Sequence, residues 1–234
     1  MIDVHSHVLP GVDDGAEDLI DSVEIIRGLA SQGVTDLIIT PHYISETRQA
    51  NPRSDNLVIL NQLRDELHRQ GIAINTYLGN EIYIDFKIAN LLSRGRISPL
   101  ADSNFLLIEL PMSGDFEGFE DIFLRLQRDG WQVVLAHPER YHSTQREYQI
   151  LEDLYQQGVL FQCNLGSLIG QYGRSAQKLA KRLLKDDYVF CLGTDIHHQR
   201  DYREINKAQK KLRHLVGKER SLDLLETNPK QIIG

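Results

Sequence analysis

Short apolar runs alternate with amphipathic stretches along the whole 234-residue chain. The runs cover residues 2–4, 36–40, 74–78, 104–108, 132–136, 159–163 and 188–192, and they are rich in Val, Ile, Leu and Phe. Brief runs of that kind predict strands buried on both faces. Between them, Leu19, Val23, Ile26 and Leu29 fall at helical spacing and predict a helix over 17–32. Leu57, Leu60, Leu63 and Leu67 do the same over 54–70. Shorter helices are expected over 83–93, 116–129, 145–157 and 175–185, with closing helices over 202–215 and 221–226 and a stop at Asn228-Pro229. Gly33, Gly71, Gly130 and Gly158 each stand just past a predicted helix, where a left-handed cap favours glycine.

Strand followed by helix, seven times over, predicts a parallel α/β sheet. No Gly-x-Gly-x-x-Gly follows the first strand, so a barrel is favoured over a doubly wound sheet. An eight-stranded (β/α) barrel needs about 250 residues. A distorted (β/α)7 TIM-like barrel, forming one domain over 1–234, fits this chain better. No linker, low-complexity stretch or internal repeat interrupts it.

The residues that end the runs carry the chemistry. The first run leads into His5-Ser6-His7, the second into Pro41-His42 and the third into Gly79-Asn80-Glu81. The fourth ends in Glu109, the fifth in His137, the sixth in Asn164 and the seventh in Thr194-Asp195-Ile196-His197. In a parallel barrel all these strand ends share one rim, where active sites are built. Any one of these residues has an ordinary explanation: a surface histidine, a helix-start carboxylate, or for Asp14 a turn in Gly11-Val12-Asp13-Asp14-Gly15. Their joint arrival at one rim points instead to a metal site. His5 and His7, two apart on a strand, point the same way. Imidazoles mixed with carboxylates suit Zn, Mn or Fe rather than Ca or Mg. Five such histidines and four carboxylates exceed the needs of one ion, which takes about three protein ligands; two or three ions sharing bridging carboxylates are expected. His68, His142, His198 and His214 have no such placement.

Composition narrows the class. Hydrophobic residues make up 41% and charged residues 25%, with a net charge of −7, as in an ordinary globular protein. The acidic balance argues against a nucleic-acid-binding body. No apolar run approaches the roughly 18 residues of a membrane span, so no membrane insertion is expected. Met1-Ile2-Asp3-Val4-His5 has neither a basic nor an apolar leader segment, which predicts a cytoplasmic protein. The two cysteines cannot build a disulfide framework. A thiol phosphatase loop is also excluded, because it needs Cys-x5-Arg; six residues after Cys163 comes Ile169, and six after Cys191 comes His197.

The ordered motif set resembles a known family. The opening His5-Ser6-His7-Val8-Leu9-Pro10-Gly11-Val12-Asp13-Asp14-Gly15 looks like the start of the PHP (polymerase and histidinol phosphatase) superfamily. Its Leu9–Gly15 part is similar to the capsule-associated bacterial protein-tyrosine phosphatases within it. Thr40-Pro41-His42, Gly79-Asn80-Glu81, Ala136-His137-Pro138-Glu139-Arg140-Tyr141 and Gly193-Thr194-Asp195-Ile196-His197 follow in the same order across the whole chain.

The resemblance implies a PHP-type barrel holding three divalent ions, with Mn ahead of Fe, Co or Zn. It implies one ion on His5, His7, Glu81 and Asp195, a second on Glu81, Glu109 and His137, and a third on Asp14, His42 and His197. It also implies hydrolysis of a phosphomonoester by metal-bridged hydroxide, with Asp195 and His197 in the catalytic centre and arginine on the phosphate. Arg140 matches the family pattern best, and the spacing leaves open whether Arg200 or Arg203 joins it. The implied partner is a phosphotyrosine protein, namely the tail of a membrane-bound bacterial tyrosine kinase that controls capsule or exopolysaccharide synthesis. Arg48 and Arg53, in the loop 43–53, are candidates for contact with such an anionic peptide. Oligomeric state is left open. The alternatives are a PHP enzyme acting on a small ester such as histidinol phosphate, an amidohydrolase, and a metal-stabilised binding module. Glu109 stands where an amidohydrolase would want a carboxylated lysine.

Overall fold

The computed structural model describes residues 1–113 and 118–234. Phe116, the expected start of the fourth helix, lies outside the described residues. The strands are β1 (Ile2–Asp3), β2 (Asp36–Ile39), β3 (His42–Tyr43), β4 (Asn75–Leu78), β5 (Glu81–Tyr83), β6 (Phe105–Glu109), β7 (Gln132–Ala136), β8 (Leu160–Asn164) and β9 (Val189–Gly193). All pair in parallel, in the orders β1-β2-β4 and β3-β5-β6-β7-β8-β9.

These nine strands make seven staves. β2 resumes as β3 after Thr40-Pro41, and β4 resumes as β5 after Gly79-Asn80. The gap is stitched by Gly79 N–H donating to Ile39 O (2.9 Å) and Glu81 N–H donating to Pro41 O (3.2 Å). The ring closes where β9 runs on beside β1. There Asp195 N–H donates to His5 O (2.9 Å) and His7 N–H donates to Ile196 O (2.9 Å), with Ser6 and Ile196 bridged in parallel. The expected seven-stave barrel is therefore present. β3 and β5 were not expected, because His42, Glu81 and their neighbours interrupt the apolar signal.

The helices are α1 (Leu19–Ser31), α2 (Arg53–Arg69), α3 (Ile88–Ser93), α4 (Phe119–Arg128), α5 (His142–Arg146), α6 (Gln149–Gln156), α7 (Gly173–Lys185), α8 (Ile205–Leu222) and α9 (Asn228–Ile233). Gly33, Gly71, Gly130 and Gly158 have φ of 86°, 66°, 91° and 83°, as the left-handed caps require. The helix expected over 145–157 is two helices, because Glu147 between them is extended (φ −127°, ψ 97°). The helix expected from 83 begins only at Ile88, since the chain is still in β5 at Tyr83. Asn228-Pro229 does not end the helical region; it opens α9, whose first turn needs no proline N–H.

Strand alternation decides what faces the barrel axis. Phe105 and Leu107 on β6, Val134 and Ala136 on β7, and Cys191 on β9 pack with Ile2, Val4 and Ile38 in an inner apolar cluster, closed below by Ile232 of α9. The intervening residues, such as Leu106, Ile108, Val133, Leu135, Phe161 and Leu192, pack in the main core with the surrounding helices. Two residues beyond Leu107 stands Glu109, four beyond Cys191 stands Asp195, and on β8 the alternation from Leu160, which packs against the same cluster, places Gln162 and Asn164. The same period that buries Leu107 and Cys191 thus delivers polar groups to the mouth. Among the described residues no helix is long and apolar enough to cross a membrane.

Candidate metal centre

Four atoms from three staves converge at the mouth. His5 Nε2 and His7 Nε2 face each other at 3.1 Å. Glu81 Oε2 lies 3.3 Å from both nitrogens, and Asp195 Oδ1 lies 3.4 Å from both. All four residues are buried. The outer ring nitrogens are engaged elsewhere: His5 Nδ1 donates to Gln162 Oε1 (2.8 Å) and His7 Nδ1 donates to Asp13 Oδ2 (2.8 Å). Both Nε2 atoms therefore offer lone pairs to one point already flanked by two carboxylate oxygens. Four acceptors around a common point fit a cation and little else. In the absence of an ion, burial alone would lower the His5 pKa, but Glu81 and Asp195 outweigh it and lift the pKa to about 9.

The cluster extends outward from Glu81. His137 Nε2 meets Glu81 Oε1 at 2.9 Å, and His42 Nδ1 meets Glu81 Oε2 at 3.0 Å. Glu109 completes this side, 3.7 Å from His42 Nδ1 and 3.8 Å from His137 Nε2. Burial and the neighbouring Glu81 push the Glu109 carboxyl up to about 7. Farther out, Asp14 Oδ1 lies 3.5 Å from His42 Nε2 and 3.6 Å from His197 Nε2. His197 Nδ1 donates to Asp195 O (2.9 Å), which leaves its Nε2 lone pair toward Asp14. All nine residues expected at the rim are brought together. As donor sets they group into His5, His7 and Glu81; His5, His137 and Asp195; His42, Glu81 and Glu109; and His7, Asp14, His42 and His197.

Two backbone turns make this possible. Alternation would aim the residue after Ala136 outward, yet His137 is left-handed (φ 32°) and turns its ring inward. Asp195 is likewise left-handed (φ 54°). Such conformations are costly for residues other than glycine and gather at functional sites. Gly15 lies against His7, where a Cβ would fall 1.8 Å from the His7 carbonyl oxygen; only glycine lets the Asp13-Asp14 turn fold back onto this histidine cluster.

The arginines separate. Arg140 Nη1 donates to Asp195 Oδ2 at 2.6 Å, not to Glu139, and its guanidinium lies 4.5 Å from the centre of the Tyr172 ring. Arg200 is 80% exposed and pairs at 3.9 Å with Asp201. Arg203 is exposed and makes no ion pair among the described residues. Arg53 is committed to Asp102 (2.7 Å), which leaves Arg48 as the exposed cation of the 43–53 loop. His68, His142, His198 and His214 are exposed and belong to none of these donor sets. Cys163 and Cys191 are buried, and burial pushes both thiols well above their usual range.

Several supporting residues escaped the sequence reading. Asp13 accepts from His7 Nδ1, His42 N–H (3.0 Å) and Gly15 N–H (3.1 Å). Those contacts, outweighing burial, hold its carboxyl down at about 2. Asp3 accepts from Thr194 N–H (2.9 Å) and Thr194 Oγ1 (2.6 Å). Glu139, fully buried, accepts from Asn164 N–H (2.8 Å) and Ser167 Oγ (2.7 Å). Of these, only Asp3 carried a signal in the sequence, a carboxylate within the otherwise apolar run 2–4; Asp13 and Glu139 stand in turn and loop stretches.

The comparisons agree with this geometry. A family model described as capsular polysaccharide synthesis, CpsB/CapC, matches residues 1–234. The tyrosine-protein phosphatase YwqE of Bacillus subtilis (strain 168) is 31% identical over 198 residues, covering 85% of this chain and 78% of YwqE. The tyrosine-protein phosphatase CpsB of Streptococcus pneumoniae is 26% identical over 243 residues, covering 100% of this chain and 98% of CpsB. A crystal structure from a study of YwqE from B. subtilis and CpsB from S. pneumoniae, called unique metal-dependent tyrosine phosphatases, superposes with a TM-score of 0.93 at 29% identity, covering 100% of this chain and 94% of that one. A histidinol phosphate phosphatase from Lactococcus lactis shares the fold, with a TM-score of 0.56 at 16% identity, covering 94% of this chain and 93% of that one. The resemblance to capsule-associated tyrosine phosphatases is thereby borne out, and the chain belongs to the CpsB/CapC family of capsular polysaccharide synthesis.

Proposed function

We propose that residues 1–234 form a single catalytic domain, a metal-dependent protein-tyrosine phosphatase. The observation that carries this reading is the placement of Arg140 on the same Asp195 carboxylate that faces the His5–His7 pair. A phosphate-sized anion at the mouth would meet a guanidinium fork on one side and the metal ligands on the other. His5, His7, Glu81 and Asp195 would hold one ion. Glu81, Glu109 and His137 would hold a second, and Asp14, His42 and His197 a third, with Mn as the preferred metal. Bound there, the ions lower the pKa of water and neutralise phosphoryl charge.

The chain's own groups do the rest. Glu81 offers its two oxygens to different sides of the cluster and would serve two of the ions. Asp13 holds His7 in the tautomer with a free Nε2. Arg140, backed by the Tyr172 ring, supplies charge-assisted donors to phosphoryl oxygens. A tyrosine leaving group, with a pKa of about 10, departs without the strong general acid that an alkyl ester needs. The substrate is the phosphotyrosine tail of a bacterial kinase governing capsule or exopolysaccharide synthesis, met in the cytoplasm, with exposed Arg48 near the incoming peptide.

Arg140→Ala tests the phosphate role. Metal content should be unchanged, while kcat/KM for an aryl phosphate should fall by one to two orders of magnitude, the value of one charge-assisted contact of about 1.5–3 kcal/mol. Parent-level kcat/KM in that variant would return Arg140 to a purely structural ion pair with Asp195. Cys163→Ser and Cys191→Ser, by contrast, should keep most activity when folded. Vanishing turnover in either well-folded variant would indicate a thiol nucleophile.

A further inference from the structure

His5, just past β1, and Asp195, just past β9, are joined by two amides of β8. Asn164 Nδ2 donates to Asp195 Oδ2 (2.7 Å), Gln162 Nε2 donates to Asn164 Oδ1 (2.9 Å), and Gln162 Oε1 receives His5 Nδ1–H (2.8 Å). Both amides are fully buried. The polarity of this chain is dictated from one end. A carboxylate only accepts, so Asn164 must present its nitrogen to Asp195; the reverse orientation would press two oxygens together at 2.7 Å. Asn164 Oδ1 is then left to accept from Gln162 Nε2, and Gln162 Oε1 is left to accept from His5. We propose that Gln162 and Asn164 act as positioning residues, an amide relay through which Asp195 sets the His5 tautomer and keeps the His5 Nε2 lone pair turned toward the metal.

Three further features fit this role. Glu139 Oε1 receives Asn164 N–H at 2.8 Å and pins the outer end of the relay. Gly193 supplies the space: a Cβ there would stand 2.8 Å from His5 Cβ and 3.0 Å from Gln162 Nε2. The choice of amide also has a reason. His7 is held by a carboxylate, Asp13, but the pocket around His5 already contains Glu81, Glu109 and Asp195. A neutral acceptor fixes the tautomer without adding another negative charge.

The inference rests on the reading of His5 and Asp195 as ligands, and the test separates the two. Metal-free parent, Gln162→Met, Gln162→Glu, Asn164→Asp and His5→Ala proteins are titrated with Mn(II), the free ion being followed by electron paramagnetic resonance. Folding is checked by cooperative thermal unfolding. Methionine matches glutamine in volume and lacks its hydrogen bonds, so a packing role predicts parent-like affinity. The relay predicts affinity weakened about 10–100-fold, the usual effect of losing an outer partner of a ligand. Gln162→Glu, which keeps an acceptor for His5 although it loses the donor to Asn164 Oδ1, should bind Mn(II) more tightly than Gln162→Met, which keeps neither. Asn164→Asp, which sets a carboxylate against Asp195, should weaken binding and keeps the test decisive if Gln162→Met does not fold. Parent-like affinity in folded Gln162→Met or Asn164→Asp would overturn the relay alone. Parent-like affinity in His5→Ala would overturn the ligand reading and the relay with it.

Discussion

Glu81→Ala is expected to lose metal from more than one position and to lower phosphatase kcat/KM by more than about three orders of magnitude. Its two oxygens serve different neighbours: Oε2 faces His5, His7 and His42, and Oε1 faces His137. Among the described residues, no other carboxylate at the mouth makes ion-pair contacts with four histidines. Metal ions stabilise transition-state charge by several kcal/mol, and about 4 kcal/mol corresponds to a factor of about 10³. The fold should persist, because the Glu81 backbone is held by the β3–β5 pairing and by its N–H donating to Pro41 O. Elemental analysis and steady-state kinetics on Glu81→Ala and the isosteric Glu81→Gln would check this. Full metal content with near-parent turnover would remove Glu81 from its bridging role.

Exhaustive chelation is expected to abolish turnover, with Mn, Co or Fe restoring it better than Mg. The nitrogen-rich donor sets around His5, His7, His42, His137 and His197 suit transition ions, whereas Mg favours oxygen ligands and retains its water. Metal uptake should also depend on pH in a definite direction. In the metal-free protein Glu81 and Asp195, working against burial, raise the His5 pKa from 6.5 to about 9. A proton then sits where the ion would bind, and the ion must expel it. Mn(II) affinity should therefore weaken as pH falls from about 9 toward 6.5, and binding near neutrality should release protons to an indicator dye. Affinity that stays flat across that window would show that His5 is not displaced from a protonated state.

The barrel was legible because its seven staves are apolar runs separated by amphipathic segments, and strand alternation needs only residue types to be read. The rim was legible because histidines and carboxylates stood at the ends of those runs. Less of the fine structure could be read. β3 and β5 were hidden by the very residues that make the site, since His42 and Glu81 break the apolar pattern on which strand recognition depends. The inward turn of His137 follows from a left-handed backbone that leaves no mark on residue type. Of the outer partners, Asp13 and Glu139 stand in turn and loop stretches, while Gln162 and Asn164 lie in and at the end of an apolar run, and none shows its partner until the strands are closed. For the arginines, the motif pattern singled out Arg140, which reaches Asp195, whereas spacing could not choose between Arg200 and Arg203, and both lie exposed.

The central claim is tested most directly by a matrix of substrates and metal states. Metal-depleted and Mn-reconstituted protein, each verified by elemental analysis, is assayed with a phosphotyrosine peptide and with histidinol phosphate. The account predicts hydrolysis of the phosphotyrosine peptide by the Mn-loaded protein, no turnover by the metal-free protein, and a much lower kcat/KM for histidinol phosphate. Equal peptide hydrolysis with and without metal, or a clear preference for histidinol phosphate, would contradict it.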